Sequence, residues 1–226
     1  FNNSKVFITK CDYNNSQTDI VADAYKSESN IMHHLKVTIE GNIFEDITAS
    51  NAIYVAADEY TTTLAITNNI ITKVAGAGIN LRNPINATVT DNTITNVTGN
   101  AMTFQNDSAI EDVAGEIVIT GNVLTDWANG KTEGRAIRLA LGNIADNVII
   151  EENAMIAANA PEEFVKISGT SNAEISVDEN YWNGVAPTAQ HFLADGVQIH
   201  NYYASYDEAN GLQNLVTIAF VQFYAA

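Results

Sequence analysis

The sequence predicts an all-β solenoid, in which short strands wind into coils that stack on one another. Three observations carry this prediction: a repeat anchored on Asn, a second strand-like segment within the repeat, and a composition rich in Asn and Thr but poor in charge. A solenoid leaves this signature because each repeat buries its apolar face only against its neighbours.

Each repeat is anchored on an Asn with apolar residues at positions −5 and −3 before it and at +2 and +5 after it. The anchors lie 23 to 31 residues apart, and the register around each one holds although the spacing varies. The six anchors are Asn42, Asn69, Asn92, Asn122, Asn153 and Asn180. A seventh copy of the pattern, VFITKC, places Cys11 at the anchor position.

The recurring Asn predicts a structural ladder of buried amides at one corner of the stack. Asn tolerates the left-handed backbone that a tight corner needs. Its amide also donates a hydrogen bond to one coil and accepts one from the next, so a column of Asn residues satisfies itself.

A second strand-like segment follows five of the anchors and supplies a further strand to each coil. Apolar residues alternate with polar ones in these segments, as in a half-buried strand. The segments are AIYV (52–55), GINL (78–81), AMTF (101–104), AIRL (136–139) and FVKI (164–167). We therefore expect about six to seven coils of three short strands each.

Charge and composition limit the classes of function. The 226-residue chain has a formal net charge of −17. Nucleic acids and anionic membranes both attract clustered positive charge, so this balance argues against either partner. The single cysteine excludes an intramolecular disulfide, and no apolar run has the length of a membrane-spanning helix.

The repeat resembles that of the right-handed parallel β-helix, which is also called the pectate-lyase-like fold. Short repeats of this kind occur in bacterial secreted and surface proteins. In that family the Asn ladder lies between the second and third strands, so the resemblance makes AIYV a first strand. The ending YWNG (181–184) is similar to the NYWGG ending of such arrays. The resemblance implies a β-helix over 1–184, an incomplete rung and capping strand over 185–226, and an extracellular or cell-surface location.

Both ends of the solenoid need cover. The first coil begins at Val6 with no cap before it, so we expect either upstream coils in a longer protein or stacking of this open rung on another chain. The segment from Leu215 to Tyr224 is apolar on both strand faces and needs cover on both. It either caps the last coil by pairing back on it or joins a neighbouring chain by β-augmentation.

Enzymes of this fold act on polysaccharides, but the signatures of polygalacturonase-like enzymes are missing from the sequence. No catalytic residue is therefore assigned. Lyases of the family place Ca²⁺ and an Arg or Lys base on the outer face of the first strands. The resemblance makes that face the candidate site for a polysaccharide.

All three Arg residues of the chain lie at or beside this first-strand face. The candidate glycan-binding residues are Tyr54, Asn80, Arg82, Gln105, Arg135, Arg138 and Lys166. Two interpretations stay open. The cations either line a groove for an anionic or hydroxyl-rich glycan, or they are solvated and paired with Glu133, Glu163 or Asp107.

Carboxylates occupy positions −2 and −1 before each of the last two anchor Asn residues. They are Glu151, Glu152, Asp178 and Glu179. Stacked strands lie ~4.8 Å apart, so these acids are candidates for a shared Ca²⁺ site. The alternative is a solvated acidic face that keeps the protein soluble, and no other cofactor is expected.

The sequence favours a non-catalytic extracellular module that is adhesin-like or structural. Whether this module also binds a glycan stays open. The alternative is a polysaccharide lyase or hydrolase that acts on an anionic polysaccharide at the first-strand face. The expected partners are a polysaccharide, a host or neighbouring protein, or a second copy that meets the C-terminal strand or the open N-terminal rung.

Overall fold

The computed structural model describes residues 4–9, 12–14, 20–24, 35–48, 50–57, 62–84, 86–106, 115–128, 134–140, 147–157, 163–168, 174–188, 191 and 197–223. Residues before 36 are described by their backbone alone. Cys11, Asp107 and Glu133 lie outside the described residues.

The described residues contain 22 strands, which form three faces of a parallel β-helix and a terminal hairpin. Face A contains β1 (Ser4–Thr9), β4 (Leu35–Glu40), β7 (Thr62–Thr67), β10 (Asn86–Thr90), β13 (Glu116–Thr120), β16 (Asn147–Glu151) and β19 (Glu174–Ser176). Face B contains β2 (Asp12–Asn14), β5 (Ile43–Ile47), β8 (Ile70–Val74), β11 (Thr93–Val97), β14 (Val123–Thr125), β17 (Ala154–Ile156) and β20 (Asn180–Trp182). Face C contains β3 (Ile20–Ala24), β6 (Ile53–Ala57), β9 (Ile79–Arg82), β12 (Met102–Gln105), β15 (Ile137–Ala140) and β18 (Val165–Ser168). The hairpin consists of β21 (Val197–Asp207) and β22 (Gly211–Phe223).

Within each face, every strand pairs in parallel with the strand of the next coil. Face C is a separate six-stranded sheet. Faces A and B are joined into one sixteen-stranded sheet because β21 pairs with both β19 and β20. This topology confirms the predicted all-β parallel solenoid with three strands per coil.

The structure contains about four complete coils, so the predicted count of six to seven coils is too high. The four coils from β4 to β15 are those in which the strands of all three faces pair with a strand of the coil before and a strand of the coil after. Beyond these coils, β3 and β18 are the terminal strands of face C, whereas β16 and β17 still pair on both sides. The repeat in the sequence continues into end coils that lack a neighbour on at least one face.

The apolar positions of the repeat point inward and form the core. The residues at −3 are all fully buried: Ile39, Ile66, Val89, Ile119, Ile150 and Val177. Those at +2 are equally buried: Phe44, Ile71, Ile94, Leu124, Met155 and Trp182. The prediction is wrong at +5 of the last anchor, where Val185 is 49% exposed. The chain leaves the repeat in a turn at Asn183 and Gly184, both with positive φ, so no neighbouring coil covers Val185.

The six anchor Asn residues form the predicted ladder, and each is 0% exposed. In every step both the backbone N–H and the side-chain Nδ2 of one Asn donate to Oδ1 of the next. For Asn92 and Asn122 these distances are 2.9 and 3.0 Å. Nδ2 of Asn122 also donates to the carbonyl oxygens of Val89 and Thr120, at 2.9 and 3.1 Å. The ladder therefore ties each coil to both of its neighbours while satisfying buried amides.

The left-handed corner lies one residue before the position we expected. Position −1, not the anchor Asn, has positive φ in all six repeats. These residues are Gly41, Asn68, Asp91, Gly121, Glu152 and Glu179, with φ between 53° and 69°. The anchor Asn is required for its amide, while the strain of the corner falls on the residue before it.

The first strand of the hairpin, β21, pairs with β19 and β20 of the last coil, whereas β22 pairs with β21. Strands β21 and β22 are antiparallel, with a register shift between Ile199 and Asn201. The carboxylate oxygen Oδ1 of Asp178 accepts the backbone N–H groups of His200 and Asn201, at 3.1 and 2.6 Å. Asp178 thereby holds β21 where it passes from β19 to β20.

Replacing Asn122 with Ala is expected to destabilise the protein by about 3 kcal/mol, because buried groups such as the Asn92 N–H and the Val89 carbonyl lose their partner. The urea midpoint of unfolding measures this loss. Thr125→Ala on the same coil serves as the control, with an effect within about 0.5 kcal/mol. Equal effects of the two substitutions would contradict a stabilising role for the ladder.

Candidate functional site

The outward side of face C carries most of the predicted glycan-binding residues in register. Ile53, Ile79, Met102, Ile137 and Val165 are fully buried, so the residues after them face outward. The pairing aligns these in one column: Tyr54, Asn80, Thr103, Arg138 and Lys166. A second column, two residues along each strand, aligns Arg82 with Gln105. With strands ~4.8 Å apart, the first column is about 19 Å long.

The first column is not uniformly open. Arg138 is exposed, and Tyr54, Asn80 and Lys166 are partly exposed. Thr103 in the middle is only 5% exposed, and its hydroxyl accepts a hydrogen bond from Nδ2 of Asn100 at 2.9 Å. The face therefore presents two accessible parts, one around Tyr54 and Arg82 and the other at Arg138 and Lys166.

Arg135 does not belong to the accessible face. It lies in the corner before β15, is 8% exposed, and forms an ion pair with Glu163. Its backbone N–H donates to Oδ1 of Asn100 at 2.7 Å, and its guanidinium to the carbonyl of Gly134 at 3.1 Å. For Arg135, the structure thus supports the alternative of a cation paired with Glu163.

The charged residues in the strands of face C from β6 onward are all basic. The strands β6, β9, β12, β15 and β18 contain Arg82, Arg138 and Lys166 but no Asp or Glu. Arg138 and Lys166 are direct neighbours in adjacent strands. In a chain of charge −17, two like charges side by side on one sheet require compensation from solvent, from other parts of the chain or from an anion.

The acidic cluster at the end of faces A and B is partly used by the fold. The carboxylate of Asp178 binds the β21 backbone, and Glu151 accepts a hydrogen bond from the Ser176 hydroxyl. Burial, followed by the charges of Asp178, Glu152 and Glu151, raises the pKa of Glu179. The acids are thus near enough to repel one another.

Within the described part of the chain, no three His, Cys, Asp or Glu side chains are placed to hold a metal ion. The Ca²⁺ site at Glu151, Glu152, Asp178 and Glu179 stays a prediction. Nor does any helix of the described residues have the length and apolar character to span a membrane.

An aromatic cluster that the repeat did not predict covers the core beside face C. His191 stacks on Trp182 with ring centroids 5.9 Å apart and meets Phe164 edge-on at 5.0 Å. Phe164 also contacts Trp127 edge-on at 5.3 Å. The Thr188 N–H donates to Nδ1 of His191 at 3.0 Å, and burial lowers the pKa of this imidazole. His191 lies outside the repeat, so the repeat could not predict its position. The sequence signal for such a cluster was the presence of Trp182 at position +2 and Trp127 at position +5, where other repeats have smaller residues.

These observations define the class of protein as an all-β parallel β-helix solenoid. The comparisons with known proteins find no matching family model, no matching curated protein and no matching solved structure.

Glu163→Gln is expected to cost about 2 kcal/mol of stability, because it removes the carboxylate charge that pairs with the buried guanidinium of Arg135. Arg138→Ala, at an exposed position, should change stability by less than about 0.5 kcal/mol. The urea midpoints of the two variants measure the contrast. A larger loss for Arg138→Ala would mean that Arg138, and not Arg135, is the structural cation.

Acidification is expected to lower the melting temperature through His191. The unfolded state takes up a proton near its ordinary pKa of about 6.5, whereas the folded imidazole takes it up only at lower pH. The stability contributed by neutral His191 is therefore present above this value and is lost as the pH falls below it.

His191→Phe retains an aromatic ring without a proton to bind, so its melting temperature should fall less between neutral and mildly acidic pH. Thr93→Ala, a neutral substitution at an exposed position of β11, is the control and should keep the wild-type pH dependence. Calorimetry over the pH series measures both. An unchanged pH dependence in His191→Phe would show that other groups cause it.

Proposed function

We propose that the protein is a non-catalytic, cell-surface or secreted module that binds an anionic polysaccharide along face C. One observation carries the proposal: Arg138 and Lys166 lie side by side in adjacent strands, within five strands that contain no acidic residue, in a chain of net charge −17. An extended anionic polymer would bind to these two neighbouring cations. Tyr54 offers an aromatic surface for a sugar ring at the other end of the column.

The arrangement favours binding over catalysis. A lyase of this fold would need carboxylates beside the basic residue to hold Ca²⁺, and the face C strands from β6 onward contain none. The two accessible parts of the face suit recognition of a chain at separated points. Arg138 and Lys166 would bind an acidic sugar, while Arg82, Gln105 and Tyr54 would contact neighbouring units.

A glycan array that includes polyuronates, read with and without Ca²⁺, tests the proposal. We expect acidic polysaccharides to bind and Arg138→Ala/Lys166→Ala to abolish most of that binding. The matched control is Lys36→Ala/Lys73→Ala, which removes the same charge from exposed sites on other parts of the helix. Binding should weaken with added salt, because screened charges carry much of it.

Three outcomes would count against the proposal. Absence of binding to any acidic glycan would leave a structural or protein-binding role. Equal losses in both double variants would indicate a general charge effect and not a site on face C. Release of unsaturated or hydrolysed products from the bound glycan would replace the non-catalytic module with a polysaccharide lyase or hydrolase.

A further inference from the structure

The sheets of the described residues end in five strands: β1, β2, β3, β18 and β22. A terminal strand presents unpaired N–H and C=O groups and therefore attracts another strand. Proteins protect such edges with charged residues or Pro. Four of the five strands follow this rule, because they contain Lys5, Asp12, Asp23 and Lys166 respectively.

Strand β22 is the exception. Its thirteen residues, GLQNLVTIAFVQF, include no charged residue and no Pro. It is also the longest strand, at about 44 Å when extended. Only one of its edges is used among the described residues, by the antiparallel pairing with β21.

The exposed side chains in the described part of β22 are uncharged. They are Asn214, Leu215 and Thr217, of which the apolar Leu215 is 48% exposed. Ile218, by contrast, is partly buried and packs against the core. The strand is thus anchored to the solenoid at one point and open to solvent at another.

We propose that β22 pairs with β22 of a second copy of this chain, in an antiparallel dimer about a two-fold axis. The strand is self-complementary because an uncharged edge meets the same uncharged edge, and antiparallel pairing of identical strands satisfies two-fold symmetry. Head-to-tail stacking would instead place the charged strands β1, β2 and β3 against β22 without countercharges.

The net charge also favours this contact over others. Two copies of charge −17 repel each other, so association is least opposed where the meeting surfaces carry no charge. Added salt should strengthen the dimer by screening the remaining repulsion. This dependence is opposite in sign to that expected for glycan binding at face C, so the two proposals fail independently.

Sedimentation equilibrium over a wide concentration series tests the dimer. We expect a reversible monomer–dimer equilibrium for the native chain. Leu215→Lys/Thr217→Lys should raise the dissociation constant about tenfold or more, because like charges then meet across the paired strands. Val185→Lys is the matched control, since Val185 is 49% exposed but lies outside the hairpin, and it should leave the constant unchanged.

A second control separates the edge from a face. Ile70 is 48% exposed on face B, and Ile70→Lys should not affect the dimer. Hydrogen exchange of the native chain provides a test that needs no variant: amides of β22 should become more protected as the concentration rises. A native chain that stays monomeric, or a dimer weakened equally by Ile70→Lys or Val185→Lys, would overturn the proposal.

Discussion

The buried amide of the ladder Asn is the constraint on which the remaining structure depends. A side-chain amide taken out of water must find partners for two donors and one acceptor, and an unsatisfied group costs about 1–3 kcal/mol. In this fold the partners lie in the adjacent coils, as for Asn122 between Asn92 and Asn153. A slip of one residue between coils would break these bonds and bury polar side chains. The ladder therefore specifies register.

Register at one corner determines what the other faces can do. Because Asn69, Asn92 and Asn122 align, the strands that follow them align as well, and outward residues form straight columns on face C. The variable spacing between anchors does not disturb this alignment, because the strands themselves keep the same register from coil to coil. A repeat that is irregular in length thus builds a regular surface, on which Arg138 and Lys166 become direct neighbours.

Periodicity predicts the parts of the structure that depend on neighbouring coils alone. The inward apolar positions, the ladder and the outward position of Arg138 all follow from alternation and a fixed anchor. Contacts made by residues that are not part of the repeat cannot be predicted from these patterns. Arg135 is buried against Glu163, and Thr103 is buried although its position faces outward. His191 joins Trp182 from beyond the last anchor, where no period applies.

The C-terminal end shows how a solenoid can be closed without removing its open edge. The last coil lacks a following coil, and β21 takes its place by pairing with both β19 and β20. The acid at position −2 of the last anchor, Asp178, serves this purpose because a carboxylate accepts both N–H groups that the bend in β21 leaves free. Strand β22 then pairs with the outer edge of β21, but β22 has an outer edge of its own with unpaired backbone groups. Every strand added to a sheet moves the free edge outward until a charged residue, a Pro, a β-bulge, a covering segment or a second molecule protects it. Strand β22 contains no charged residue and no Pro, and its ladder with β21 carries a single register shift. A second copy is the cover that we propose for the remaining uncharged edge.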